Sequence, residues 1–337
     1  MHIQLTIFAI FSVILTSSPL VLAGSPEGMG FLSLKSSEVP DGVKQAARST
    51  FRLVLPSGSL VTTADLFGSQ SLGEIIQRIE DMDRSELAVP DKAIFLSQLK
   101  ACLNHNLDPC RIFEGIEDGT GFIVGDGFQM RTAYHVISSL VEKGFGTKQK
   151  PLPIFVYGPD EELLYSPDQL VITLESMGVS GIGVNSGEAS DKLKDVALLR
   201  ISQKIAEPIQ ASVVPVDPGS TVYIAGFVIP TLDRAVYGAE DSDGTSRVIS
   251  RGHRLSSTEA HDRAAARLRS YPKAAFDELL KYLVVSTADG GPRLSGAPTL
   301  NQKGEYVGVY NSGAPQSGEA EPLRFSYSVP VKYLLKK

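Results

Sequence analysis

Residues Ser286 to Tyr310 read STADGGPRLSGAPTLNQKGEYVGVY, with Ser295 at the centre. A Gly/Pro-rich loop, Asp289 to Pro292, precedes that serine, and Gly296, Ala297 and Pro298 follow it. A turn from Asn301 to Gly304 then leads into an alternating strand from Glu305 to Val309. Loop, small-residue corner, strand, turn and strand together can hold a serine rigidly at the mouth of a β-barrel. The small neighbours let a substrate backbone come close. By itself S-G-A-P is just as well an ordinary hairpin loop, and Ser312 to Pro315 is a second copy. That copy has no trailing strand, so the weight falls on Ser295 and on what the rest of the chain can bring to it.

A serine hydroxyl is a poor nucleophile until a base takes its proton, and the base needs an acceptor behind it to fix its tautomer. Apart from His2, four histidines could be that base. His135 ends the strand-like run G-F-Q-M-R-T-A-Y-H-V at a small-residue corner, whereas His105, His253 and His261 lie in polar segments. Asp195 opens D-V-A-L-L-R-I, where its charge enters an apolar run and needs a donor. Each residue alone has a structural explanation. His135, Asp195 and Ser295, in that order and each at a strand end, are harder to explain separately.

Outward from these three, the pattern is mostly short strands with turn signals, which points to barrels or sandwiches rather than βαβ units. Gly24 to Gln45 reads as a loose lead-in. Ser49 to Leu55 reads as a strand ended by Pro56-Ser57-Gly58. Leu72, Ile75, Ile76, Ile79 and Met82 then fall at helical spacing, and so do Phe95, Leu99, Cys102 and Leu103. These predict a helical pair inserted among strands, with a propeptide or docking role as the alternative to plain core. Strands are expected at Gly119 to Val124, Phe128 to Ala133, Ile154 to Tyr157, Gln169 to Leu174, Ser180 to Val184 and Val196 to Ile201. A second set begins at Val213 to Val216 and Thr221 to Phe227. Ser256 to Leu283 reads as helical, opened by a capping box of Ser256 and Glu259 and kinked at Pro272. Arg324 to Val331 closes the series before a short terminal helix.

Length and composition bound the rest. The 337 residues give room for two domains, and 31 Gly with 20 Pro favour a turn-rich globular chain. A net charge of −6 argues against a partner bound through phosphate neutralisation, so no nucleic acid is expected. Residues 1 to 23 read as a signal peptide: Ile7 to Leu15 is apolar apart from Ser12, and Val21-Leu22-Ala23 supplies the cleavage pattern. The run is short for a bilayer span, and Ser25 stands where a lipoprotein signal needs cysteine. The expectation is a mature chain starting near Gly24, secreted or periplasmic, with no stable membrane anchor. Cys102 and Cys110 flank LNHNLDP and are expected to pair in an oxidising compartment, contributing about 2.5 kcal/mol on the chain-entropy account. Free thiols and half a metal site with His105 are the alternatives, but no further cysteine exists to complete a structural zinc site. No dinucleotide fingerprint, Walker loop or H-E-x-x-H is present, so neither cofactor nor metal is expected.

The sequence resembles the trypsin-like (chymotrypsin-fold) serine peptidases, particularly their secreted bacterial members. The resemblance rests on Gly119-Thr120-Gly121-Phe122-Ile123 before Thr132-Ala133-Tyr134-His135-Val136, on Asp195-Val196-Ala197-Leu198-Leu199, and on Ser295-Gly296-Ala297-Pro298 with Gly304 to Val309. It covers about Ser49 to Lys337 and implies an all-β fold of two six-stranded antiparallel barrels. The first barrel would span 49–205 after a lead-in at 24–48, with the disulfide-tied helical insertion at about 60–110. The second would span 206–337 with an insertion at about 232–283. The resemblance further implies a peptide or protein substrate cleaved by Ser295, with His135 as general base and Asp195 orienting it. Backbone N–H groups of Arg293 and Ser295 would form the oxyanion hole.

Two positions depart from the family pattern. The family has glycine where Arg293 stands, and a side chain there works against the required loop conformation. Losing one oxyanion donor costs on the order of 3 kcal/mol of transition-state stabilisation, so the alternative is an inactive pseudoprotease that binds peptides in the same cleft. Digestive members carry aspartate where Leu294 stands, to receive a newly cut N-terminus; with leucine, activity should not depend on a new amine. Asp289 falls at the family's primary-pocket acid and suggests cleavage after Arg or Lys, against the plainer reading of a loop aspartate. Asn311, Ser312 and Gly313 would line the pocket wall. A β-sandwich envelope protein is the third reading, and it would leave His135 and Asp195 far apart.

Overall fold

The computed structural model describes residues 31–82, 89–158, 162–178, 195–227, 247–265, 283–288, 290, 293–313, 326–331 and 334. The signal segment, Ser180 to Val184, Pro272, Asp289 and the terminal helix lie outside those residues. The chain divides into two compact units, one of which takes Val54–Glu117 and the other Val21–Leu53 with Asp118–Lys337.

In chain order, β1 (Phe31–Leu32), α1 (Asp41–Ala47) and β2 (Thr50–Thr62) open the described chain. Helices α2 (Thr63–Phe67), α3 (Leu72–Asp81) and α4 (Val89–Asn104) follow, then β3 (Arg111–Val124), β4 (Gln129–Thr132) and α5 (Tyr134–Glu142). After these come β5 (Phe155–Tyr157), β6 (Leu163–Tyr165), β7 (Ile172–Met177), β8 (Ala197–Ile201), β9 (Thr221–Phe227) and β10 (Arg247–His253). The last elements are α6 (Ser257–Ala265), β11 (Val284–Ser286), β12 (Pro298–Leu300), β13 (Tyr306–Gly313) and β14 (Ser326–Pro330).

The fold is all-β in its framework, with two curled sheets that among the described residues have seven strands each, ordered β6-β5-β2-β3-β4-β8-β7 and β1-β10-β9-β12-β13-β14-β11. Six strands per barrel were expected. Two short strands that periodicity did not mark, β1 in the second sheet and β6 in the first, occupy sheet ends. Antiparallel hairpins fix the registers that matter for the site. Thr132 pairs with Ala197, which puts the end of β4 beside the start of β8, and Pro298 pairs with Val309. The core runs through both sheets, and Phe122 of β3 meets Tyr306 of β13 edge to face at 5.3 Å.

Several local expectations change. The Pro56-Ser57-Gly58 signal does not end β2: Gly58 takes φ +79 inside the strand, a conformation open to glycine, and the chain goes on to Thr62. The lead-in is not loose. Val43, Ala46 and Ala47 of α1 and the preceding Val39 are buried in the core, a short amphipathic pattern masked by the polar residues around it. Val213 and Val214 form no strand and are exposed at 89 % and 67 %, because β-branched residues alone do not make a strand without a partner to pair with.

Inside the unit of Val54–Glu117, α3 opens with a capping box between Ser71 and Glu74 and buries Ile75, Ile76 and Ile79. These pack with Phe95 and Leu99 of α4 in a separate apolar cluster. Cys102 and Cys110 are bonded, and the bond ties the end of α4 to the start of β3. Among the described residues no helix is long and apolar enough to cross a membrane, and no group of His, Cys, Asp and Glu could hold a metal ion.

Candidate functional site

α5 begins immediately after β4, with Ala133 as its N-cap, so His135 lies in the first turn, where backbone N–H groups have no intrahelical acceptor. Asp195, just ahead of β8, answers that deficit. The backbone N–H of His135 donates to Oδ1 of Asp195 at 2.7 Å, and Nδ1 of the same residue lies 2.7 Å from Oδ2. One carboxylate therefore caps the helix and orients the ring. A proton held on Nδ1 leaves Nε2 with a lone pair facing away from Asp195.

Burial pushes the Asp195 carboxyl up, but the hydrogen bond and charge of the His135 ring, the His135 N–H and Asn311 outweigh it, so the group lies below the usual aspartate value. The Asp195 side chain is 14 % exposed and that of His135 43 %, which leaves the imidazole open to solvent on one side. Asn311 on β13 joins the group, its side-chain amide donating to the Asp195 carbonyl at 3.0 Å.

Ser295 stands on the loop before β12. Its hydroxyl donates to the Asn311 carbonyl at 3.4 Å and, among the described residues, makes no hydrogen bond to His135. Asn311 thus contacts both the histidine–aspartate pair, through its amide, and the serine, through its carbonyl.

The loop itself is held from β3. The Thr120 N–H donates to the Ser295 carbonyl at 2.8 Å, and the Thr120 hydroxyl donates to the Arg293 carbonyl at 2.7 Å. Gly296 N–H donates to the Tyr310 carbonyl, and Ala297 N–H to the Leu294 carbonyl. At Gly296, with φ +90, a Cβ would run into the Thr120 carbonyl and the Thr132 hydroxyl, so only glycine fits. Leu294 is fully buried, packed with Phe31, Ile224 and Val248.

Arg293 adopts φ +75, the left-handed region that glycine occupies freely and other residues enter at a cost of about 1–3 kcal/mol. Its Nε lies 2.6 Å from Oδ2 of Asp118 on β3. The buried Arg52 of β2 takes the same carboxylate, with Nη2 2.6 Å from Oδ2 and Nε 3.1 Å from Oδ1.

The structure therefore brings together His135, Asp195 and Asn311, ties Ser295 to Asn311, and places Arg293 in the serine's own loop. Ser312 and Gly313 continue β13 from Asn311, paired with Tyr327 and Ser326. Sequence reasoning missed three supporting residues. Thr120 stood inside the G-T-G run but had no role attached to it. Asp118 and Arg52 carried no signal at all, since an acid and a base 66 positions apart reveal their pairing only in the folded sheet.

A family model described as a trypsin-like peptidase domain matches residues 119–309, more than half of the chain. No curated protein matches. Among solved structures, the Rv3671c protease from M. tuberculosis in its active form is 14 % identical, with 95 % of this chain and 88 % of that chain covered and a TM-score of 0.41. An HtrA-type protease with a decapeptide is 14 % identical over 87 % of this chain and 64 % of that one, at a TM-score of 0.43. The serine endoprotease from Yersinia pestis is 14 % identical over 86 % and 61 %, at 0.41.

Proposed function

The chain belongs to the trypsin-like peptidase domain family, and from that premise we propose that it is an exported serine endopeptidase with Ser295 as nucleophile. The observation that carries the reading is the double engagement of Asp195 with the backbone and ring of His135. That arrangement gives a base of fixed tautomer, with the serine loop held to it through Asn311.

In the reaction, Ser295 Oγ leaves the Asn311 carbonyl, passes its proton to Nε2 of His135 and attacks the scissile carbonyl. Asp195 stabilises the imidazolium that forms. The N–H groups of Arg293 and Ser295 receive the developing oxyanion. Collapse expels the amine, which takes the proton back from His135, and leaves an acyl-enzyme on Ser295. Water, deprotonated by His135, then releases the acid and restores the serine. Asn311, Ser312 and Gly313 form the wall of the primary pocket, and Asp289 confers a preference for Arg or Lys before the cut bond. Residues 1–23 direct export to a secreted or periplasmic location, and substrates are proteins or peptides.

The contact of Ser295 with Asn311 and the side chain at position 293 are the features an inactive binding relative would retain, and hydrolysis separates the two readings. Wild-type protein should cleave fluorescein-labelled casein, and Ser295→Ala should not. Equal release by both proteins, or release by neither alongside retained binding of the casein, sinks the peptidase reading.

A further inference from the structure

Arg293 poses a physical problem at the most demanding point of the loop. Its carbonyl and that of Ser295 are fixed by Thr120, yet its own backbone is held at φ +75 with a full side chain attached. Something must hold it there, and the side chain supplies it. The guanidinium reaches Asp118, two positions before Thr120 on the same strand and so on the same face of it. Asp118 is in turn held by Arg52, whose side chain is 1 % exposed and lies over the Tyr157 ring at 5.9 Å. β3 thus grips the loop twice, through Thr120 at two carbonyls and through Asp118 at the Arg293 side chain.

We propose that Asp118 is a positioning residue: with Arg52 behind it, its carboxylate latches Arg293 in the left-handed conformation and so aims the Arg293 N–H at the oxyanion. In this chain an ion pair stands in for the conformational freedom of glycine. The proposal rests on the peptidase reading for its kinetic consequence, while its conformational content stands apart from activity. A carboxylate serving two arginines also limits what can replace it. Asparagine offers one acceptor oxygen and no charge.

Arg293→Ala tests the latch while leaving the Arg52–Asp118 pair intact, and Arg293→Gly is its control, since glycine enters the left-handed region freely. Crystal structures of both variants read φ at position 293. The latch requires that alanine leave the left-handed region and that glycine remain in it; alanine held near the wild-type angle overturns the proposal whatever the activity.

In kinetics on a peptide thioester, Arg293→Ala should lose about tenfold to a hundredfold in kcat with little change in KM. Arg293→Gly should recover most of that loss. In the Arg293→Gly background, Asp118→Asn should have no further effect on kcat, whereas a merely structural ion pair would make Asp118→Asn equally harmful in both backgrounds. If Asp118→Asn alone fails to fold, the alanine–glycine comparison still decides. A wild type that neither cleaves the thioester nor labels with a fluorophosphonate, but whose alanine variant flips φ, sinks the peptidase reading and leaves the latch standing.

Discussion

Asp195 does two things with one carboxylate, and its ionisation makes its contribution to stability depend on pH. Its folded pKa lies below the free value because His135 and Asn311 outweigh burial. The stability it contributes is therefore fully present above about pH 4, the range of an unfolded aspartate, and is lost as pH falls through the lower folded value. Urea unfolding of wild type and Asp195→Asn at a series of pH values checks this. The stability gap should be widest near neutrality and close in acid; a gap unchanged by pH contradicts it. At the same scale, Thr120 and Gly296 are demanding for different reasons: one satisfies two loop carbonyls, and the other leaves no room for a Cβ. His135 and Asp195 were legible from their places at strand ends. The contact of the Ser295 hydroxyl with Asn311 was not, because rotamer choice depends on the neighbouring strand.

Among the elements, the strands that carry the site were read most closely. β9 spans Thr221–Phe227, the bounds expected from the sequence, and the turn of Asn301 to Gly304 closes with a hydrogen bond from Gly304 N–H to the Asn301 carbonyl. The capping box at Ser256 and Glu259 forms in both directions. Local signals mislead where sheet pairing overrides them: β2 runs through Pro56, and among the described residues Val213 and Val214 join no strand. The disulfide acts at this scale too, clamping α4 to β3 across a short loop. Cys102→Ala should lower stability by about 2.5 kcal/mol, read in denaturant melts of non-reduced protein. Dithiothreitol should produce the same loss in wild type and none in the variant. An unchanged midpoint for the variant would show that the bond adds nothing.

For the molecule as a whole, Leu294 and the N-terminal segment are both packed into the core. Leu294 is anchored in apolar core with Phe31, which on the proposed function leaves the serine loop with no charged switch that calls for a new amine. The segment at 31–48 packs into the fold. Phe31, Val39, Val43, Ala46 and Ala47 are all buried, and their loss would forfeit about 5 kcal/mol or more, comparable with the stability of an entire domain. A chain beginning at residue 49 should show no cooperative thermal transition, whereas extending the N-terminus of the mature chain should leave its activity unchanged. A sharp melt for the shortened chain would contradict this. Short strands with turn signals point to barrels or sandwiches, and it is the family resemblance that implies two barrels; the buried helix α1 is hidden because only its few apolar residues touch the core.

The proposed convergence of His135, Asp195 and Ser295 is tested most directly by mapping the adduct of a fluorophosphonate probe by peptide mass spectrometry. The adduct should sit on Ser295 and disappear in His135→Ala. An adduct on Ser312, or one that forms on Ser295 at the same rate without the imidazole, would contradict the account.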